Sequence, residues 1–147
     1  MSKVVSLRLP DETAARLQKI ARRTGRSVSE VGARSIEEWL RQNEFADIEF
    51  REFQGQRLAC LKGDMRIWKI IMVARDYDFD LEKTAAHFAW PVGRVQAALN
   101  YYRAYPEEID QIIAENDAIT FEDLQRLLPD IHLFTYSPDP DEQATTR

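Results

Sequence analysis

At 147 residues, 44% of them apolar, the chain is long enough for one ordinary domain or two small ones and too apolar for a disordered protein. Its longest apolar runs span only a few residues and its opening carries no charged-then-apolar leader, so neither membrane insertion nor secretion is expected and the cytoplasm is the expected compartment. The net charge of −5 is unevenly spread: residues 1–44 hold nine Lys/Arg against six Asp/Glu (+3), residues 45–103 nine against eight (+1), and residues 104–147 two against eleven (−9). A basic head, a balanced middle and an acidic tail suggest two different partners.

The head opens on "VVSLRLP", where Val5, Leu7 and Leu9 fall on one face of a strand and Val4, Ser6 and Arg8 on the other. Residues 11–44 read as helix, broken only at Gly25, so no neighbouring segment offers this strand a second edge. Pro10 with Asp11 and Glu12 starts a first helix whose apolar stripe is Ala14, Leu17, Ile20 and Ala21. Ser27 followed three residues later by Glu30 is a capping box that opens a second helix, with Val28, Val31, Ser35, Ile36, Trp39 and Leu40 as its stripe. Some 44 residues bury too little to be stable alone, so an obligate homodimer is expected in which two such strands pair antiparallel. The apolar faces then cap the helices, and the opposite face presents its side chains outward.

The run "VSLRLPDETAARLQKIARRTGRSVSEVGARSIEEWL" resembles ribbon-helix-helix domains of the CopG, Arc and MetJ type over residues 3 to about 43. The resemblance implies that the two-stranded ribbon enters the major groove of operator DNA, with Lys3, Val4, Ser6 and Arg8 as the contacting residues. It also implies that Ser27, Val28 and Ser29, at the start of the second helix, hold a phosphate. Elementary chemistry agrees, since a β-ribbon fits the major groove, arginine pairs bidentately with guanine, and free amides at a helix start favour an anion. Gly32 departs from the pattern, standing where a large aliphatic is usual; it either weakens the helix or lets a neighbour approach closely.

Further along, "IEFREFQGQRLACL" holds two short β-like runs around Gly55 and reads as a possible short hairpin. Cys60, the single cysteine, falls in its apolar end and is expected to be buried. "RIWKIIMVARD" places Ile67, Ile70, Ile71 and Ala74 on one helical face. Asp80 caps "LEKTAAHFA" and Pro91 begins "PVGRVQAALNYYRAY", a pair of helices with a tight turn that suggests a helix-turn-helix-like unit. Ala89 stands where a turn glycine is common. Arg94, Gln96, Asn100 and Arg103 form a possible second DNA or partner surface, set against the plainer reading of a packing module.

The segment from "LKGDMRIWKI" to "AALNYYRAYPEEIDQIIAEN" resembles small helical antitoxin-like domains encoded beside PIN-type nucleases, best in "AALNYYRAYPEEID". That resemblance implies a toxin–antitoxin setting with a PIN-like ribonuclease toxin as partner. Beyond it, Pro106 begins a helix carrying Ile109, Ile112 and Ile113, and Thr120 caps another that Pro129 stops. The last stretch, "DIHLFTYSPDPDEQATTR", has no helical period, and its final ten or so residues are expected to be disordered in the free chain. Ile109, Ile112, Leu133, Phe134 and Tyr136 are the candidate toxin-binding residues, beside the alternative that "IHLFTY" is an edge strand packed on its own domain.

Catalytic chemistry finds little support. Asp76, Asp78 and Asp80 alternate like the start of a calcium loop, but the central glycine is missing and His87 stands where a bidentate glutamate belongs. His87 and His132 are isolated, and no phosphate loop or nucleophile elbow is present. No enzyme activity, metal or cofactor is expected. The expected fold is mainly α: a ribbon-helix-helix module (1–44), a helical, helix-turn-helix-like domain (45–117), and an acidic helix and tail (118–147). The expected function is a dimeric antitoxin that autorepresses its operon and neutralises a nuclease. The alternatives are a stand-alone repressor whose middle domain oligomerises or touches DNA, and a protein-interaction module with a vestigial ribbon.

Overall fold

The computed structural model describes residues 1–134. They are mainly helical, in the order α1 (Asp11–Thr24), α2 (Val28–Glu44), β1 (Ile48–Phe53), β2 (Gln56–Leu61), α3 (Ile67–Asp76), α4 (Leu81–Phe88), α5 (Val92–Ala104), α6 (Pro106–Asp117) and α7 (Phe121–Leu127). Helix ends follow local chemistry. Gly25 closes α1 at φ 65°, donating its amide back to Arg22 while Arg26 donates to Ala21. Ser27 Oγ accepts the Glu30 amide at 3.1 Å and the Glu30 carboxylate accepts the Ser27 amide at 3.0 Å, so the capping box is complete. Asp80 caps α4 through the Lys83 amide at 2.8 Å. Thr120 and Asp123 cap α7 reciprocally, and the backbone and side-chain hydrogen bonds from Thr120 hold the Asp123 carboxyl below its ordinary range.

β1 and β2 form an antiparallel hairpin in which Phe53 faces Gln56. The two turn residues, Gln54 and Gly55, have φ of 50° and 82°, the pairing a twisted two-residue hairpin demands. Ala89 ends α4 in the left-handed region at φ 55°, ψ 41°, where the Trp90 amide reaches back to Ala85, so alanine serves here in place of the usual glycine. Two helices thus meet at a short turn; Val95 and Leu99 of α5 are buried beside Ala85, with Leu81 and Phe88 packed at the edge.

One core runs from Ile48 to Ile113. Ile67, Ile70, Ile71 and Ala74 of α3 are fully buried, with Leu61 and Cys60 from the hairpin, Tyr101 from α5 and Ile109 from α6 around them. α7 contributes no buried residue.

The head differs from its sequence expectation in one respect: residues 1–10 form no strand in the single chain. A strand needs a ladder partner for its backbone groups, and among the described residues the only sheet is β1–β2. Within the head only Ala21 is buried. Val5, Leu7 and Leu9 are 73%, 64% and 43% exposed, and Ile36, Trp39 and Leu40 also lie open. An apolar patch of this extent signals a missing partner.

Candidate nucleic-acid interface

Lys3, Val4, Ser6 and Arg8 are exposed, as is every residue of the opening segment 1–10, and Ser27, Val28 and Ser29 are exposed as well. The capping box consumes the amides of Ser27 and Glu30, leaving those of Val28 and Ser29 as unsatisfied donors of the first turn. These amides and the helix dipole favour an anion there. The Glu30 carboxylate opposes one, and the exposed Arg26 guanidinium next to the cap offsets it.

Sequence reading missed two features because both depend on long-range packing. The first is a cleft of about 460 Å³ in which Arg26, Arg34 and Arg57, from the α1–α2 turn, α2 and β2, face Glu108, Gln111 and Glu115 of α6. The second is the joint between α2 and the core. Arg41 Nη1 donates to Tyr101 Oη at 2.8 Å and to Glu108 Oε2 at 2.7 Å, while Tyr101 Oη donates to Glu108 Oε1 at 2.9 Å. Arg41 also pairs with Glu37 at 2.8 Å and lies 3.7 Å from the centre of the Tyr105 ring. Phe45 meets Tyr101 and Tyr105 edge-on at 5.6 and 5.9 Å. Burial works against the Arg41 charge, but the hydrogen bonds it donates to Glu108 and Glu37 outweigh that and hold the guanidinium above its ordinary range. Burial, aided by the Glu108 carboxylate, pushes the Tyr101 phenol up. A second tie, Arg57 to Glu38 at 2.6 Å, joins the hairpin to α2.

The proposed second surface is only partly exposed. Arg94 reaches Asp64 at 3.3 Å and lies 5.1 Å from the Trp90 ring, so its charge is engaged within the fold. Gln96 donates to Asn100 at 2.8 Å, and Asn100 and Arg103 face outward. The candidate toxin-binding set also divides. Ile109, 1% exposed, is a core residue rather than a surface one, because α6 packs that edge onto α3; Ile112 is half-buried against the same core. Leu133 and Phe134 are 68% and 92% exposed, and Tyr136 lies outside the described residues.

Among the described residues no group of three or more His, Cys, Asp or Glu is placed to hold a metal ion, and no helix is long and apolar enough to cross a membrane.

Residues 3–42 match the family described as ribbon-helix-helix protein, copG family. No curated protein and no solved structure matches the chain. Ribbon-helix-helix proteins bind DNA and dimerise, and the likeness of the head to them points to a DNA-binding transcription regulator.

Proposed function

We propose that the protein is a homodimeric regulator that reads operator DNA through a ribbon built from residues 3–9 of two chains. The observation that carries this reading is the exposed alternation of the opening segment. Val5, Leu7 and Leu9 are open among the described residues, and Ser6 and Arg8 alternate with them along the chain, as the two faces of a strand would require. Arg8→Ala is expected to lose about 1–3 kcal/mol of operator affinity per half-site and to relax preference at one base pair, while the dimer persists. Fluorescence anisotropy on an operator and its single-base variants measures this. Unchanged affinity and preference would mean that the ribbon faces are assigned the wrong way round.

At a finer grain, the reading is an antitoxin that autorepresses its own operon and restrains a PIN-like ribonuclease through its C-terminal part. Two observations support it: the −9 charge of residues 104–147, and the exposed Leu127, Leu128, Leu133 and Phe134 within that acidic stretch. Acidic residues with apolar anchors suit a basic nuclease groove. Joint replacement of Leu133 and Phe134 by serine is expected to abolish rescue of cells expressing the proposed PIN-like nuclease partner, while leaving operator binding intact. Full rescue by that double variant would remove these residues from the interface. The alternative of a second DNA contact in the middle region is weakened by the Arg94–Asp64 pair, which already engages the side chain best suited to it.

A further inference from the structure

Gly32 has no explanation within the single chain. It lies inside α2 with no positive φ, and a Cβ placed there meets nothing within 4 Å. Neither a turn nor crowding demands glycine, although glycine weakens a helix interior relative to alanine. Val28, Gly32, Ser35, Ile36 and Trp39 share one face of α2, and on that face Trp39 is 63% exposed. Seven residues of helix separate Gly32 from Trp39, which places them within about 20° of each other around the axis and about 10 Å apart along it. The face therefore carries a hollow at one end and a large flat knob at the other. Their midpoint falls between Ser35 and Ile36. A two-fold axis through that midpoint, perpendicular to α2, lays Gly32 of one chain against Trp39 of the other, twice over.

We propose that α2 pairs with α2 of a second copy across this axis, each Trp39 indole seating in the hollow left by Gly32 of the other chain. The inference rests on the dimer proposed above and adds the contact that sets its register and its preference for self over other chains. The same axis sets Ser35 near Ile36 of the other chain at the centre of the contact, so small and apolar groups meet there. The charged side chains of α2 lie off this face and are partly engaged elsewhere, Glu37 with Arg41 at 2.8 Å and Glu38 with Arg57 at 2.6 Å. Pairing the two faces thus leaves those ion pairs in water or within their own chain. The face is also continuous in character with Val5, Leu7 and Leu9, which lie open in a segment similar to a family that dimerises. A buried tryptophan filling a pocket at the centre of a contact is the type of group that dominates association.

Sedimentation equilibrium of the full-length chain and of Gly32→Leu, Trp39→Ala and the double variant tests the proposal. Each single substitution is expected to raise the dimer dissociation constant about tenfold or more, and the double variant is expected to fall well short of the product of the two, because leucine occupies space the indole vacates. Circular dichroism of each variant distinguishes loss of pairing from loss of folding, and Gly32→Ala serves as a milder filling with a smaller effect in the same direction. Single variants that dimerise like the parent chain, or a double variant whose effect is the full product, overturn the Gly32–Trp39 contact while leaving the dimer standing. A parent chain that sediments as a monomer overturns the dimer itself, and the contact with it.

Discussion

Leu7→Lys is expected to weaken both self-association and operator binding by about 1000-fold, the largest effect of any single substitution on DNA recognition. Leu7 is 64% exposed in the single chain and lies at the centre of the Val5–Leu7–Leu9 alternation. Burying one leucine is worth about 1.5–3 kcal/mol, and each dimer buries two copies, which brings the loss to about 4 kcal/mol before the penalty for a buried ammonium is added. About 4 kcal/mol corresponds to roughly three powers of ten in a dissociation constant. Ultracentrifugation and operator titration read the two losses separately. They should move together, because a ribbon that fails to form presents neither face. A Leu7→Lys chain that still dimerises would mean that the apolar alternation is covered by something other than its own copy.

Arg41→Ala is expected to destabilise the fold by about 2 kcal/mol in urea unfolding, the largest effect among the polar contacts. Its side chain is 17% exposed and holds Tyr101 and Glu108 together at 2.8 and 2.7 Å. Removing one partner of a fully buried pair costs roughly 3–5 kcal/mol, and the value is lower here because Glu108 is 35% exposed and water relieves part of its loss. Arg41→Lys should recover little, since a shorter-reaching ammonium cannot at once meet Tyr101, Glu108 and Glu37 and lie over the Tyr105 ring as the guanidinium does. Tyr101→Phe separates the hydroxyl from the ring packing and should cost less than Arg41→Ala, because the Arg41–Glu108 pair survives it. Equal stability of Arg41→Ala and the parent chain would show that the α2 joint is held by Phe45 with its aromatic neighbours and by the Arg57–Glu38 pair, without Arg41.

Local rules carried the sequence far. The Ser27–Glu30 and Thr120 caps, the Asp80 cap, the hairpin around Gly55 and the α3 stripe of Ile67, Ile70, Ile71 and Ala74 depend on residues within a few positions of one another, and the structure places each where its spacing indicates. The opening segment was legible as an alternation but forms no strand in the single chain, because no described segment lies beside it to complete a ladder. Errors arose where a face was legible but its cover was not. Ile109 and Ile112 read as one apolar stripe on α6, and only packing reveals that Ile109 is sealed against α3. Arg94 looked free for DNA until Asp64, thirty residues earlier in the chain, was found beside it. Arg41 attracted no notice in the sequence, since its partners lie 60 and 67 residues away.

α2 runs unbroken for 17 residues, with the phosphate-favouring amides of Val28 and Ser29 at one end and Arg41 clamped to the core at the other. At 1.5 Å per residue, about 20 Å of helix separates Val28 from Arg41, where α2 is pivoted like a lever on the Tyr101–Glu108 grip. A tilt of about 10° at that grip carries the far end through about 3.5 Å, more than the length of a hydrogen bond. Glu108, on the acidic side of α6, belongs to that grip and so lies at the short end of the lever. If the proposed phosphate contact forms there, a tilt of that size at the grip would take the amides of Val28 and Ser29 out of hydrogen-bond reach of it.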